Sequence, residues 1–285
     1  FTGIIIDVFY SDNIERSVTK IIQKNLKSKV NLSDVEFTLW EHFPYASVQF
    51  NNILTFESEG FDNDTLLYAK EVSIDLNIID LISKKYNINR INIWDGVINF
   101  KYDKNNNPNF LIFKTDSSAN NKILIEQIIV LKSKINYSKV INNTTINWDV
   151  SEGIIELDKK NITVSANLFS KQLFIAKTDY VNNKECSLSA ELTVTKDTFH
   201  IHKSKVIIED VAATVSGSII NKKKLELNII SNKQQLNSII AHMPEKFKQI
   251  CRPFITDASF DCNATVKGIM SKSSNPFFNM DFKIL

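Results

Sequence analysis

His200 and His202 stand one residue apart in Phe199–Ile208, FHIHKSKVII. On a strand that spacing puts two imidazoles on one face, the start of a zinc site. No Cys, Asp or Glu stands at ligand spacing to complete it, and both positions fall on the polar phase of the stretch, so solvent-facing histidines are the plainer reading. His42 and His242 are isolated among aromatic or helical neighbours. The acidic residues Glu152, Glu156, Asp158, Glu209 and Asp210 scatter near turns. Nothing pairs them as the general acid and base of a glycosidase. There is no phosphate-cradling glycine loop, no G-x-S-x-G and no zinc spacing. No catalytic residue, metal or cofactor is assigned, and an enzyme is the least favoured class. Asn63, Asn143, Asn161 and Asn263 begin glycosylation sequons, which chance supplies in an Asn-rich chain. Trp40, Trp94 and Trp148 read as core or interface aromatics, with Trp94 able to cover an outer sheet face.

A chain without a chemical cluster must be understood through its scaffold. Its 285 residues are 43% hydrophobic, enough for a core, with only six Gly and five Pro. A net charge of +2 gives no support for a nucleic-acid partner. Three cysteines, Cys186, Cys251 and Cys262, are too few and too far apart for a disulfide framework. Cys251 and Cys262 read as small buried hydrophobes rather than as a pair.

The scaffold is organised around a pattern that occurs three times: Ile91–Phe100 (INIWDGVINF), Ile128–Tyr137 (IIVLKSKINY) and Phe199–Ile208. Ile91 and Ile93 share a face before a short break, Ile98 and Phe100 after it. Ile128 and Val130, then Ile135 and Tyr137, repeat this, as do Phe199 and Ile201, then Val206 and Ile208. An uninterrupted strand would send the second pair to the wrong face. Asp95-Gly96, Lys132-Ser133 and Lys203-Ser204 must therefore reset the phase. A two-residue hairpin would do so, and Asp-Gly suits one. A β-bulge would do so within one long strand of ~14 residues, about 45 Å. Lys-Ser is a poor choice for positive φ, so the bulge is preferred, with Asp95-Gly96 the candidate exception.

Asp12–Lys29 reads as an amphipathic helix, with Asp12 and Glu15 as its capping pair and Ile14, Val18, Ile21, Ile22 and Leu26 on one face. Its basic remainder, Arg16, Lys20, Lys24, Lys27 and Lys29, reads as a solvated face that would also suit anionic headgroups. Short strands are expected at 34–39 and 46–50, around an aromatic turn at 40–45. Leu67–Ile78 alternates most cleanly, with Val72, Ile74, Leu76 and Ile78 together on one face. A corner at 80–86 and a polar loop at 103–109 follow. From 123 to 230 strands and polar turns succeed one another as an antiparallel meander, with turns at 142–143, 158–161, 182–184 and 221–224. Leu236, Ile239, Ile240 and Met243 predict a helix stopped by Pro244. Strands resume at 258–266 and 277–284.

A sheet with one apolar face over many strands must cover it with a second sheet, a helix, a curl of itself or a ligand. Two helices are too few. A dry sandwich is the commoner solution, and a gutter with an apolar floor is the one that long bulged strands favour.

The order of these elements resembles the N-terminal region of the AsmA-like family of bacterial envelope proteins. The residues that carry it are the helix ending LKSKVNL, the aromatic-Pro element HFPYASVQFNNI, the run LLYAKEVSIDLNIIDLISKKYNINRINIWDGVINFKYD, and LNSIIAHMPE followed by NPFFNMDFKI. Departures are Lys27-Ser28-Lys29 where the family often has Gly, and Gly96, Ser133 and Ser204 where Pro is common. The resemblance implies an inner-membrane-anchored protein with its bulk in the periplasm, supporting outer-membrane biogenesis by conducting phospholipids along a β-groove.

The expectation is therefore a mainly β chain. A long antiparallel, bulged and curled sheet forms an elongated groove, with an N-terminal amphipathic helix and a short helix near 234–243. Residues 1–30 are read as a membrane-proximal segment and helix, and 31–285 as the groove domain of a fragment that continues further. Ile4, Ile5, Ile6, Val8 and Phe9 are read as membrane-proximal, the remnant of an anchor or an ordinary first strand. The groove lining is expected from Val72, Ile74, Leu76, Ile78, Ile91, Ile93, Ile98, Phe100, Ile128, Val130, Ile135, Tyr137, Phe199, Ile201, Val206 and Ile208. The expected partners are a phospholipid or other acyl lipid, the inner membrane and envelope proteins, with no nucleic acid. The alternative function is a closed, dry scaffold for envelope assembly.

Overall fold

A computed structural model describes residues 26–38, 45–77, 87–112, 114, 124–221, 223–245, 248–249, 253, 256, 258–269 and 276–285. The expected helix up to residue 25, Ile4–Phe9, the aromatic turn at 40–44, Ile78, the corner at 80–86 and Cys251 lie outside them. The chain is mainly β and divides into two compact units, Phe1–Glu152 and Gly153–Leu285.

The first unit holds β1 (Val30–Asn31), β2 (Asp34–Thr38), β3 (Tyr45–Phe56), β4 (Thr65–Asn77), β5 (Ile88–Tyr102), β6 (Ile125–Lys139) and the start of β7 (Thr144–Asp158). Their order is β1-β3-β4-β5-β6-β7, with β2 also on β3. The expected helix does not reach Lys29. Leu26 forms only an isolated bridge, and the Lys27 N–H donates to the Ile112 carbonyl at 2.6 Å as the chain bends into β1.

The three repeat copies are continuous strands, not hairpins. β5 and β6 each run for 15 residues, about 50 Å at the usual rise. They pair in parallel, a departure from an antiparallel meander, and the connection between them is long enough for a crossover. The first two copies consequently lie side by side in register: Ile91 on Ile128, Ile93 on Val130, Ile98 on Ile135 and Phe100 on Tyr137.

The phase reset is shared by neighbouring strands. Phe50, Val72, Ile93 and Val130 form one inward row, and Ile53, Ala69, Gly96 and Ser133 the next. Two residues, rather than one, separate these rows in every strand: Asn51 and Asn52, Lys70 and Glu71, Trp94 and Asp95, Leu131 and Lys132. Asn52, Asp95 and Lys132 take the left-handed conformation, with φ of 51°, 51° and 46°. Lys132 thus adopts the positive φ that its residue type disfavours. Because each strand carries the same extra residue, β3, β4 and β5 stay in one register across the reset. Trp94 points outward with the Lys132 ammonium 4.8 Å from its ring centre, a cation–π contact.

The rows bury a core. Val48 and Phe50 are fully buried and Leu76 nearly so, packed by Leu32, Val35, Phe37, Ile74 and Ile88. Ile53, Ala69 and Val72 form a second cluster with Val30, Leu32, Leu67, Ile91 and Ile93. Beyond it the polar loop folds back on β5. Asn109, fully buried, donates to Glu57 Oε1 at 2.8 Å and accepts from the Lys101 N–H at 2.8 Å.

The second unit holds the remainder of β7, then β8 (Asn161–Ile175), β9 (Thr178–Val181), β10 (Lys184–Val194), β11 (Thr198–Ile208), β12 (Val211–Ile220) and β13 (Lys224–Gln235). The short helix α1 (Leu236–His242) follows where the helical spacing predicts it, then β14 (Ser259–Ile269) and β15 (Phe277–Ile284). The order β8-β10-β11-β12-β13-β14-β15, with β9 on β8, is antiparallel and does not close on itself. Turns fall at the expected 159–160 and 182–183 and at 221 and 223.

Candidate functional site

In β11 the third repeat copy carries a bulge. Ile201 pairs with Leu192 and Gly217, and Ser204 pairs with Ala190 and Val215, so His202 and Lys203 together oppose one residue on β12. The extra residue returns Val206 and Ile208 to the face of Ile201, as the alternation demands. Ser204 fills the inward position at the bulge and is buried.

That reset lets rows of apolar side chains cross the second unit. One row runs Ile162, Leu192, Ile201, Gly217, Leu227, Val266, Phe278. The next runs Val164, Ala190, Ser204, Val215, Ile229, Ala264, Met280. Parallel to them lie Ala166, Leu188, Val206, Ala213 and then Leu168, Cys186, Ile208, Val211. The opposite face carries pairs such as Ser218 with Glu226 and Glu226 with Lys267.

The small members of these rows, Ala190 and Ala264, are buried by their neighbours. Leu168 is buried as well, but most of the large ones are not. Leu188, Leu192, Ile201, Val206, Val215, Leu227, Ile229 and Val266 are half-buried, and Phe199, Phe278, Met280 and Phe282 are exposed. Among the described residues, both buried core clusters belong to the first unit. Among the described residues of the second unit, each strand packs mainly on its sheet neighbours, and α1 adds contact against β13. The face is apolar and continuous, and no described second layer closes it.

The expected lining residues thus fall in two environments. Val72, Leu76, Ile98 and Val130 are buried, and Ile74, Ile91, Ile93, Ile128, Ile135, Phe100 and Tyr137 are half-buried around them. Phe100 and Tyr102 close edge-on against Phe110, with ring centres at 5.3 Å and 5.5 Å. Phe199, Ile201, Val206 and Ile208 lie on the open face of the second unit.

The face ends at a pocket. Lys184 pairs with Ser170, one step beyond the pair Cys186 and Leu168 that ends the apolar rows, and so lies on the same face. It lines a pocket of about 500 Å³ together with Lys177, Asp179, Tyr180, His242, Glu245 and Lys248. The His242 Nε2 lies 2.7 Å from Asp210 Oδ1. Hydrogen bonds from Ser238 and from His242 hold the Asp210 carboxyl below its ordinary value. Sequence reasoning missed this pocket, because its residues come from a β-turn, a strand start and a helix end far apart in the chain.

His200 and His202 are both exposed, with His202 Nε2 at 2.6 Å from Thr193 Oγ1. Among the described residues no group of three His, Cys, Asp or Glu could hold a metal ion. Cys186 and Cys262 are free thiols, each pushed above its usual value first by burial and then by nearby carboxylates. Within the described residues no helix is long and apolar enough to cross a membrane. No family model, no curated protein and no solved structure matches the chain.

Proposed function

We propose that the protein binds acyl lipids without covalent chemistry, laying their tails on the open face of the second unit. The observation that carries this reading is the half-buried state of the large side chains Leu188, Ile201, Val206, Val215, Leu227 and Ile229 on one uninterrupted face. Each methylene moved from water onto such a surface gains about 0.8 kcal/mol. Along β10 the face extends from Cys186 to Val194, about 27 Å at the usual strand rise. One leaflet of bilayer hydrocarbon is about 15 Å thick, so a tail fits lengthwise. The resemblance to AsmA-like proteins supports the same reading and adds its setting: an envelope protein anchored in the inner membrane that conducts phospholipids for outer-membrane biogenesis.

The test is photocrosslinking of the purified chain to a phospholipid carrying a diazirine in its acyl tail. Val215→Asp and Ile229→Asp, each checked for native circular dichroism, should lose the crosslink. Unchanged crosslinking in folded variants would overturn the assignment of this face.

A scaffold that engages other envelope proteins is the second reading, and β15 favours it. This edge strand exposes Phe277, Phe278, Phe282 and Ile284, with Ile284 at 77%. An apolar edge of that kind adds strands from a partner.

A further inference from the structure

The pocket beside Lys184 contains unmet demands of both signs. Neither Lys177 nor Lys184 makes an ion pair among the described residues, whereas Lys248 is held by Glu245 at 2.7 Å. Two ammonium groups are therefore free for an anion. Asp179 Oδ1 is buried with no hydrogen-bond partner, and so is His242 Nδ1. In the tautomer whose Nε2–H donates to Asp210, His242 leaves Nδ1 as an acceptor. Two buried acceptors without donors are costly, and a ligand that brings N–H groups relieves both.

A bare phosphate would satisfy the lysines and repel Asp179. A bare amine would do the reverse. A phosphate ester carrying a primary ammonium satisfies all four groups, and about 500 Å³ is ample for it. Lys184 also lies on the apolar face itself, two residues from Cys186, a step of about 7 Å. A head group held at Lys184 leaves its tails directed along the rows of Cys186, Leu188 and Ala190.

Resting on the acyl-chain reading above, we propose that this pocket binds the phosphoethanolamine head group of a lipid whose tails occupy the adjoining face. The phosphate is taken by Lys177 and Lys184, and the ammonium by Asp179 and His242.

The experiment compares binding of four probes to the full chain by native mass spectrometry: phosphatidylethanolamine, phosphatidylglycerol and diacylglycerol with the same tails, and soluble phosphoethanolamine. The wild-type chain should prefer phosphatidylethanolamine over diacylglycerol by about tenfold or more, the worth of a charge-assisted hydrogen bond. Lys184→Ala, Lys177→Ala and Asp179→Asn should each reduce that preference about tenfold and leave diacylglycerol binding unchanged. Equal wild-type binding of the two lipids, or an undiminished preference in folded variants, would overturn the pocket assignment while the tail reading stands. Tighter binding of phosphatidylglycerol than of phosphatidylethanolamine would overturn the role of Asp179 and His242. Binding of soluble phosphoethanolamine with neither lipid bound would overturn the lipid source and the tail reading together, leaving a site for a free ester.

Discussion

The Ser133 hydroxyl accepts the Gly96 N–H at 2.9 Å and donates to the Leu131 carbonyl at 2.7 Å. At the phase reset the extra residue takes ladder groups out of line, and one side chain 1% exposed reconnects two of them. Gly96 makes room: a Cβ there would stand 3.3 Å from Ser133 Oγ and 3.1 Å from the Tyr68 carbonyl. Ser133→Ala should therefore cost about 1–3 kcal/mol, the penalty for a buried donor left unpaired. Urea denaturation would register this as a lower midpoint, and an unchanged midpoint would show that the hydroxyl is dispensable.

Gly217 is a position where the second unit has no room for a side chain. Its φ is +132°, and an added Cβ would lie 2.0 Å from the Glu226 carbonyl oxygen. Gly217→Ala must push β12 and β13 apart, with a loss of about 3 kcal/mol or more. Thermal denaturation of the variant should show a clear drop, and a native melting temperature would contradict the pairing of these strands.

Lys101 links two carboxylates, with Glu57 at 2.8 Å and Asp64 at 3.0 Å. Burial alone would lower its proton affinity, but hydrogen bonds to Glu57 and Asp64 outweigh it and raise the pKa above the ordinary value. Lys101→Met would leave Glu57, with its side chain 1% exposed, without its cation. Because the lysine is partly exposed, the expected loss is moderate, about 1–3 kcal/mol. Hydrogen exchange of Asn109, which also donates to Glu57, should accelerate with it. Unaltered exchange would mean that the loop is held by its other bonds.

The same loop is sensitive to acid. Hydrogen bonds from the Asn107 backbone and side chain and from the Asn105 N–H hold Asp103 below its ordinary value of 3.8. A carboxyl depressed in the folded state contributes stability above its unfolded pKa and loses it as pH falls through the lower folded value. Protection of the Asn105 and Asn107 amides should therefore persist at pH 5 and fade below about pH 4. Loss of protection already near neutrality would point to another group.

What could be read in advance followed from period two. The alternation of Leu67–Ile78, described as far as Asn77, the three repeat copies and the helical spacing of Leu236–Met243 all name elements that formed. The polar turns were equally visible, because Asn and Asp at strand ends have a local cause. The means of the phase reset was not legible at Lys132, since a positive φ in a lysine is imposed by neighbouring strands and has no local signature. Nor was the parallel pairing of β5 with β6 readable, although the equal spacing of their apolar residues is what lets the two copies align. The open face was legible only in part, for a related reason. Val215, Leu227 and Ile229 continue the rows of Ile201 and Val206, but only strand order reveals that they are neighbours.

The paired residues between the inward rows of the first unit behave like a dislocation running across a crystal. No single strand can gain or lose its extra residue without falling out of step with both neighbours. Deleting Asp95 alone would shift half of β5 by one position against β4 and β6 and turn Ile98 and Phe100 outward. The fault can be moved or erased only by changing the matching positions of β3, β4, β5 and β6 together. Length variation in this unit is thereby confined to its turns, and the span between the reset and either strand end is a fixed dimension of the fold.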